Sequence, residues 1–251
     1  MPFFAVVAIA MSSFRYMVSR KRAVVGAIVF VVAAFALNWL YQVVRKPAEL
    51  LFPVGGVLSK TPAETWKSYA PLFHGHSTKV MSAELLAALA QVEGAGNPAA
   101  RTHWRWRATH DLREVYRPAS SAVGMYQITD GTFREAKRYC IRDHVAIEEG
   151  CWFNSLYMRV IPSHAVELTS AYLDRRVASA LARARLPGAT PEQKQNLAAL
   201  IHLCGAGAGD AYAKRNFRLA DGQRCGAHDA RAYLARVNAM KRSFARLSAL
   251  R

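Results

Sequence analysis

Two short segments hold the residues best suited to chemistry. The first is Gln91-Val92-Glu93-Gly94-Ala95-Gly96-Asn97-Pro98. Glu93 lies seven residues after Leu86 and four after Leu89, so on a helix it continues their apolar stripe. A carboxyl group there faces the interior or a cleft. It also closes the helix, where the macrodipole is negative. Both effects favour the protonated form. A carboxylic acid that keeps its proton near neutrality can protonate a glycosidic oxygen. Gly94 and Gly96 let the chain turn sharply and let a ligand approach the backbone. Taken alone, a helix-end Glu is more often half of a solvent-exposed ion pair.

The second segment runs Ser120-Ser121-Ala122-Val123-Gly124-Met125-Tyr126-Gln127-Ile128-Thr129-Asp130-Gly131-Thr132-Phe133. Taken with the first, it resembles the lytic transglycosylase family (SLT-type) of the goose-type lysozyme superfamily. Members carry Glu-Ser-x-x-Asn-Pro at a helix end, then Gly-Leu-Met-Gln and a Pro-Gly-Thr-like helix start. Glu93, Asn97 and Pro98 match the first motif; Gly124, Gln127, Gly131 and Thr132 match the second. The resemblance covers roughly residues 80–215. It implies an all-α, lysozyme-like domain and a mechanism with one carboxyl group. Glu93 would protonate the oxygen between N-acetylmuramic acid and N-acetylglucosamine. As carboxylate it would then take the proton of the sugar's own 6-hydroxyl, closing a 1,6-anhydro ring. Asn97, Gly124, Met125, Tyr126 and Gln127 are the expected substrate-binding residues. Gln127 would present its amide to the sugar. Met125 reads equally as cleft wall or as core.

The sequence departs from the family pattern in three places. Gly94 stands where the family has Ser. The loop between the motifs is longer and holds His103, Trp104, Arg105, Trp106 and Arg107. Leu203-Cys204-Gly205-Ala206-Gly207 stands where the family has Ala-Tyr-Asn-Ala-Gly, so the Tyr that touches the catalytic carboxyl is missing. Tyr126, Tyr212 and Tyr116 are the replacements considered. A hydrolysing glycosidase needs two carboxyl groups about 5–9 Å apart. Asp111, Glu114 and Asp130 are the candidates for a second, and Asp130 reads better as a helix cap. A hydrolytic muramidase is therefore the alternative enzyme. A glycan-binding scaffold without turnover, in a secretion or division complex, is the alternative from another class. Trp104, Trp106 and Trp152 could stack on sugars but read more often as core. Arg101, Arg105, Arg107, Arg113 and Arg117 suit either stem-peptide carboxylates or a solvated face.

Elements must exist to position these groups. The chain has 251 residues, 52% of them hydrophobic, and a net charge of +17. Residues 1–46 hold six basic and no acidic residues, which leaves +11 for residues 47–251. Such a surface suits a polyanion: anionic lipid, an acidic wall polymer or nucleic acid. Export and the cysteine pattern argue against nucleic acid. Ala23 to Val44 is 22 residues without a charge, about 33 Å as a helix and enough to cross a bilayer. Four basic residues precede it and two follow, which places the N-terminus in the cytoplasm and the remainder in the periplasm. Residues 1–22 read as a cytoplasmic N-terminus, 23–44 as an inner-membrane anchor, 45–60 as a linker and 61–251 as the lysozyme-like domain. Cleavage as a signal peptide at Ala34-Phe35-Ala36 is the alternative, and Met11 is an alternative start.

Cys140, Cys151, Cys204 and Cys225 all follow the anchor, and an even number in an exported domain reads as two disulfides. The shortest loops come from pairing Cys140 with Cys151 and Cys204 with Cys225. No zinc-ligand spacing and no cofactor motif is present. Thr61-Pro62-Ala63-Glu64 and Thr190-Pro191-Glu192-Gln193 have the form of capping boxes. Ser82 opens a helix over 83–93, with Leu85, Leu86, Leu89 and Val92 as its stripe. Thr129-Asp130-Gly131 opens one through Cys140. Ser163 to Leu186 is a long helix. Asp229 to Leu250 carries Tyr233, Val237, Met240, Phe244 and Leu247 on one side, a packing helix. A short hairpin is expected within 101–119.

Overall fold

The computed structural model describes residues 3–51 and 56–250. The ends of the expected segments 1–22 and 61–251, and residues 52–55 of the expected linker, lie outside that range. The chain divides into two compact units: Met1–Glu49 with Trp104–Pro118, and Leu50–His103 with Ala119–Arg251.

In the first unit α1 (Phe3–Arg45) is one helix, with no break between the expected N-terminal and anchor segments. Its stretch Arg20–Arg45 has a mean hydropathy of 2.4, long and apolar enough to cross a membrane by length and composition. Strands β1 (Trp104–Trp106) and β2 (Tyr116–Pro118) pair antiparallel, Trp106 opposite Tyr116. The expected hairpin is therefore present. It seats on α1. Asn38 Nδ2 donates to the Tyr116 carbonyl at 2.8 Å, Gln42 Nε2 to the Arg113 carbonyl at 2.6 Å, and Arg45 Nη1 to Glu114 Oε1 at 2.9 Å. Positions 38, 42 and 45 share one helix face, so the apolar span carries a polar edge whose two amide nitrogens donate to hairpin carbonyls and whose arginine pairs with Glu114. Phe35 meets Trp106 and Tyr116 edge-on at 6.0 and 6.4 Å. Just past the helix, Lys46 pairs with Glu49 at 3.1 Å, and Trp104 Nε1 donates to Glu49 Oε2 at 2.9 Å.

The second unit is helical, with small two-stranded hairpins at its margins. Helix α2 (Pro62–Gly75) starts at the expected capping box, with the Thr61 and Glu64 side chains each bonding the other's backbone N–H. Ser82 caps α3 (Ala83–Gly94), accepting from the Leu85 N–H. The expected apolar stripe understates α3. Leu85, Leu86, Ala87, Ala88, Leu89 and Ala90 have at most 1% exposure, so the helix is covered all round. The alanines make this possible, because they let neighbouring helices approach closely on the sides the leucines do not occupy. Helix α4 (Asp130–Ala136) is shorter than expected: Cys140 leaves it to begin β3 (Cys140–Arg142), which pairs with β4 (Val145–Ile147). Thr129, not Asp130, is the cap of α4, accepting from the Thr132 N–H.

Helices α5 (Pro162–Ala184) and α6 (Pro191–Cys204) follow, the latter opened by the Thr190–Gln193 capping box. Helix α7 (Ala206–Lys214), which sequence reading did not anticipate, packs on both. A hairpin of β5 (Arg224–Cys225) and β6 (His228–Asp229) leads into α8 (Ala230–Ala249). Asp229 caps α8 by accepting from the Ala232 N–H at 2.8 Å. Its expected stripe faces inward: Tyr233, Val237 and Phe244 are at most 2% exposed. Both expected disulfides form, Cys140–Cys151 and Cys204–Cys225. The second ties the end of α6 to the hairpin before α8.

Candidate active site

Glu93 stands in the last turn of α3. The helix ends because Ala95 adopts a left-handed backbone (φ 50°). Its N–H returns to the Gln91 carbonyl and the Gly96 N–H to that of Ala90, so the terminal carbonyls are satisfied. Gly96 has φ +63°, and a Cβ there would lie 2.1 Å from Thr65 Oγ1. Asn97 locks the next turn: its Oδ1 accepts from the Ala99 N–H at 2.8 Å and its side chain is nearly buried.

The second motif lies directly on the first. A Cβ on Gly94 would come within 2.8 Å of Met125 Cα and of its carbonyl oxygen. That approach explains the glycine where the resemblance leads one to expect serine: any side chain would separate the two turns. Gly124 (φ +81°) faces the Arg159 carbonyl, 2.4 Å from where its own Cβ would be. Arg159 holds the turn from outside. Its Nη1 donates to the Ser121 and Ile128 carbonyls at 2.8 and 2.7 Å, and its Nη2 pairs with Asp130 at 2.7 Å.

The expected binding residues do different work. Met125 and Tyr126 are fully buried in the core, without surface to offer a sugar, and support the turn from beneath. Burial pushes the Tyr126 hydroxyl far above the ordinary tyrosine value. Gln127 turns its amide nitrogen onto the Gly124 and Ala100 carbonyls, at 2.9 and 3.2 Å. Both amide hydrogens thus brace the loop, which leaves the carbonyl oxygen as its remaining polar atom.

The side chain of Glu93 is 18% exposed. Tyr233, from the first turn of α8, donates its hydroxyl to Glu93 Oε1 at 2.5 Å. Tyr233 is 2% exposed. Burial first, and then the Glu93 carboxylate beside it, pushes its hydroxyl well above the usual tyrosine value. It therefore stays protonated and remains a donor. His202, in the last turn of α6, places Nε2 3.8 Å from the same oxygen. Neither Tyr126, Tyr212 nor Tyr116 fills the place of the missing tyrosine. Tyr126 is enclosed in the core, Tyr212 packs edge-on to Phe217 at 5.8 Å, and Tyr116 belongs to the hairpin of the other unit. Helical spacing puts Tyr233 on the apolar stripe of its helix, where a side chain reads as packing. The signal that could have marked it is the hydroxyl itself, since a phenol in a closed core needs a partner.

The three other carboxylates considered are all engaged by arginine. Asp111 pairs with Arg113 at 3.0 Å, Glu114 with Arg45 at 2.9 Å and Arg117 at 2.5 Å, and Asp130 with Arg159 at 2.7 Å. Among the described residues, no three His, Cys, Asp or Glu side chains converge as a metal site.

The site thus holds a carboxyl group at the end of a buried helix, braced by a phenol and set against a glycine turn. The family model of the transglycosylase SLT domain matches residues 72–208, more than half of the chain, and the chain belongs to that family. Its substrate class is peptidoglycan, and its fold is lysozyme-like. No curated relative matches the chain. Tyr233 lies beyond the matched segment.

Proposed function

We propose that this chain is a lytic transglycosylase that cleaves the β-1,4 bond between N-acetylmuramic acid and N-acetylglucosamine. In this reading Glu93 Oε2 carries the reacting proton, because Tyr233 already donates to Oε1. The proton passes to the bridging oxygen as the bond from that oxygen to the muramic acid C1 breaks. The glucosamine hydroxyl leaves. Glu93, now a carboxylate, accepts the proton of the muramic acid 6-hydroxyl, and O6 bonds to C1 to give the 1,6-anhydro sugar. No water is consumed.

The observation that carries this reading is the half-buried Glu93 with a protonated phenol on one oxygen. The arginine pairing of Asp111, Glu114 and Asp130 favours it over a hydrolytic muramidase, which must position a water or a nucleophile with a second carboxylate. Residues 23–44 act as a membrane anchor with the catalytic unit in the periplasm, supported by the length and hydropathy of the helix that contains them and by the four basic residues before them. The full chain and its Glu93→Gln variant, each given purified sacculi, provide the test. Mass spectrometry should find anhydro-muropeptides released by the native chain alone. Reducing ends instead would make it a muramidase. Binding without turnover by both proteins would make it a scaffold.

A further inference from the structure

The disulfide loop that follows α4 takes no part in that chemistry, yet it holds two aromatic rings out in water. Trp152 reads as core from its type, but in the fold it is 68% exposed. Phe153 stacks on it and is 56% exposed. Such a pair has to be held in place, because burying either ring is favoured. The Cys140–Cys151 bond fixes the residue just before the indole. Buried Asn154 fixes the other side, its Nδ2 donating to the Tyr139 carbonyl at 2.6 Å. The Ser155 hydroxyl donates to the Trp152 carbonyl at 2.8 Å and closes the short turn Trp152–Leu156. The backbone is thereby braced on both sides of the exposed indole.

Trp152 forms one wall of an open cleft of about 480 Å³, and Lys137, Arg138, Glu148, Gly150 and Cys151 form the rest. That volume lies in the range of small-molecule sites. Glu148 neutralises Arg138 at 2.6 Å. Lys137 sits over the Phe133 ring at 4.8 Å, and among the described residues no carboxylate pairs with it. The cleft thus offers an indole beside one uncompensated cation. We propose that it is an outlying subsite for the peptidoglycan polymer: an N-acetylmuramic acid ring lies on Trp152, and a carboxylate of its stem peptide pairs with Lys137. The proposal rests on the peptidoglycan reading of the site and not on the cleavage chemistry. The C–H face of a sugar packs on an indole while its hydroxyls stay in water. A lysine ammonium is a point charge that accepts a carboxylate from many directions, which suits a flexible peptide. The location fits the same polymer. Arg159, which holds the Gly124 turn, lies over the Phe133 ring that Lys137 also covers, at 5.1 Å. Helix α4, between the turn and the cleft, has seven residues and spans about 10 Å, which a strand of a few sugars can bridge.

The test measures binding apart from cleavage, using the full chain in detergent micelles with Glu93→Gln present throughout. Sedimentation with purified sacculi gives the affinity. Adding Trp152→Ala should weaken binding about tenfold, the upper end for one lost aromatic contact. Its thermal midpoint should move little, since the ring is exposed. Adding Lys137→Gln should weaken binding to sacculi about threefold, and binding to glycan strands stripped of peptide by an amidase not at all. Trp152→Ala should lose as much on stripped strands as on sacculi. Sacculi bound equally with and without the indole would overturn the subsite, leave the peptidoglycan reading standing and assign the stacked pair to a protein partner. A Lys137→Gln effect that is the same on both kinds of strand would strike out the carboxylate contact. A Glu93→Gln chain that binds no sacculi would remove the subsite and the peptidoglycan reading together.

Discussion

The hydroxyl of Tyr233 donates to Glu93 Oε1 at 2.5 Å across 140 residues of chain. The bond joins the start of the last helix to the end of a helix near the beginning of the unit. It fixes which carboxyl oxygen is held; in the proposed mechanism the other one exchanges the proton.

Removing that hydroxyl should separate its role from packing. Tyr233→Phe keeps the ring in the core, so the thermal midpoint should fall only by the few degrees that one lost hydrogen bond costs. A hydrogen bond to a charged group is worth about 1.5–3 kcal/mol, so kcat should fall about 10–100-fold with KM nearly unchanged. Turnover on sacculi at the native rate would remove Tyr233 from the mechanism.

Restoring the family's serine should do harm. In Gly94→Ser the new Cβ meets Met125 backbone at 2.8 Å, and backbone cannot swing aside as a side chain can. Overpacking of this kind costs about 1–3 kcal/mol. Calorimetry should show the midpoint lowered by about 2–4 °C for each kcal/mol. Activity should drop further than stability requires, because Glu93 is the adjacent residue. An unchanged midpoint would show that the two turns can part.

The Cys204–Cys225 bond should matter to the site and not only to the fold. Cys204 ends α6 two residues after His202, and Cys225 lies in the hairpin that leads to Tyr233. Replacing both cysteines by serine should cost about 3 kcal/mol on the chain-entropy account, read from denaturant midpoints. The Cys140–Cys151 pair lies away from these residues in sequence. Its loss should cost similar stability with less effect on turnover under conditions where both variants are folded.

Acid should weaken the catalytic unit. Burial lowers the pKa of His76 and of His164, with Glu167 opposing it in both cases. His164 Nδ1 also accepts from the Met158 N–H at 3.2 Å, which a protonated nitrogen cannot do. A histidine whose folded value lies below its unfolded one stabilises the fold above the unfolded value, about 6.5. That contribution is lost as pH falls through the lowered folded value. Unfolding midpoints should therefore decline below about pH 6.5, and His76→Gln with His164→Gln should flatten the decline. An equal slope in the double variant would place the acid sensitivity elsewhere.

Local order was legible because its causes are local. Thr61, Ser82 and Thr190 could be read as caps since a cap bonds a backbone N–H three residues on. The Glu93 and Gly124 turns, the disulfide pairs and the apolar span Ala23–Val44 likewise depend on residue type and short spacing. The tertiary structure decided what those pieces touch. It buried Met125 and Tyr126, spent the Gln127 amide on the loop, and brought Arg159 against the glycine turn. It seated the 104–118 hairpin on Asn38, Gln42 and Arg45, which the sequence shows only as scattered polar residues in or beside an apolar run. Above all it chose Tyr233 as the partner of Glu93. Periodicity reports that a side chain faces inward, but which inward-facing groups meet is settled by how whole helices pack, and that depends on every residue in the core at once.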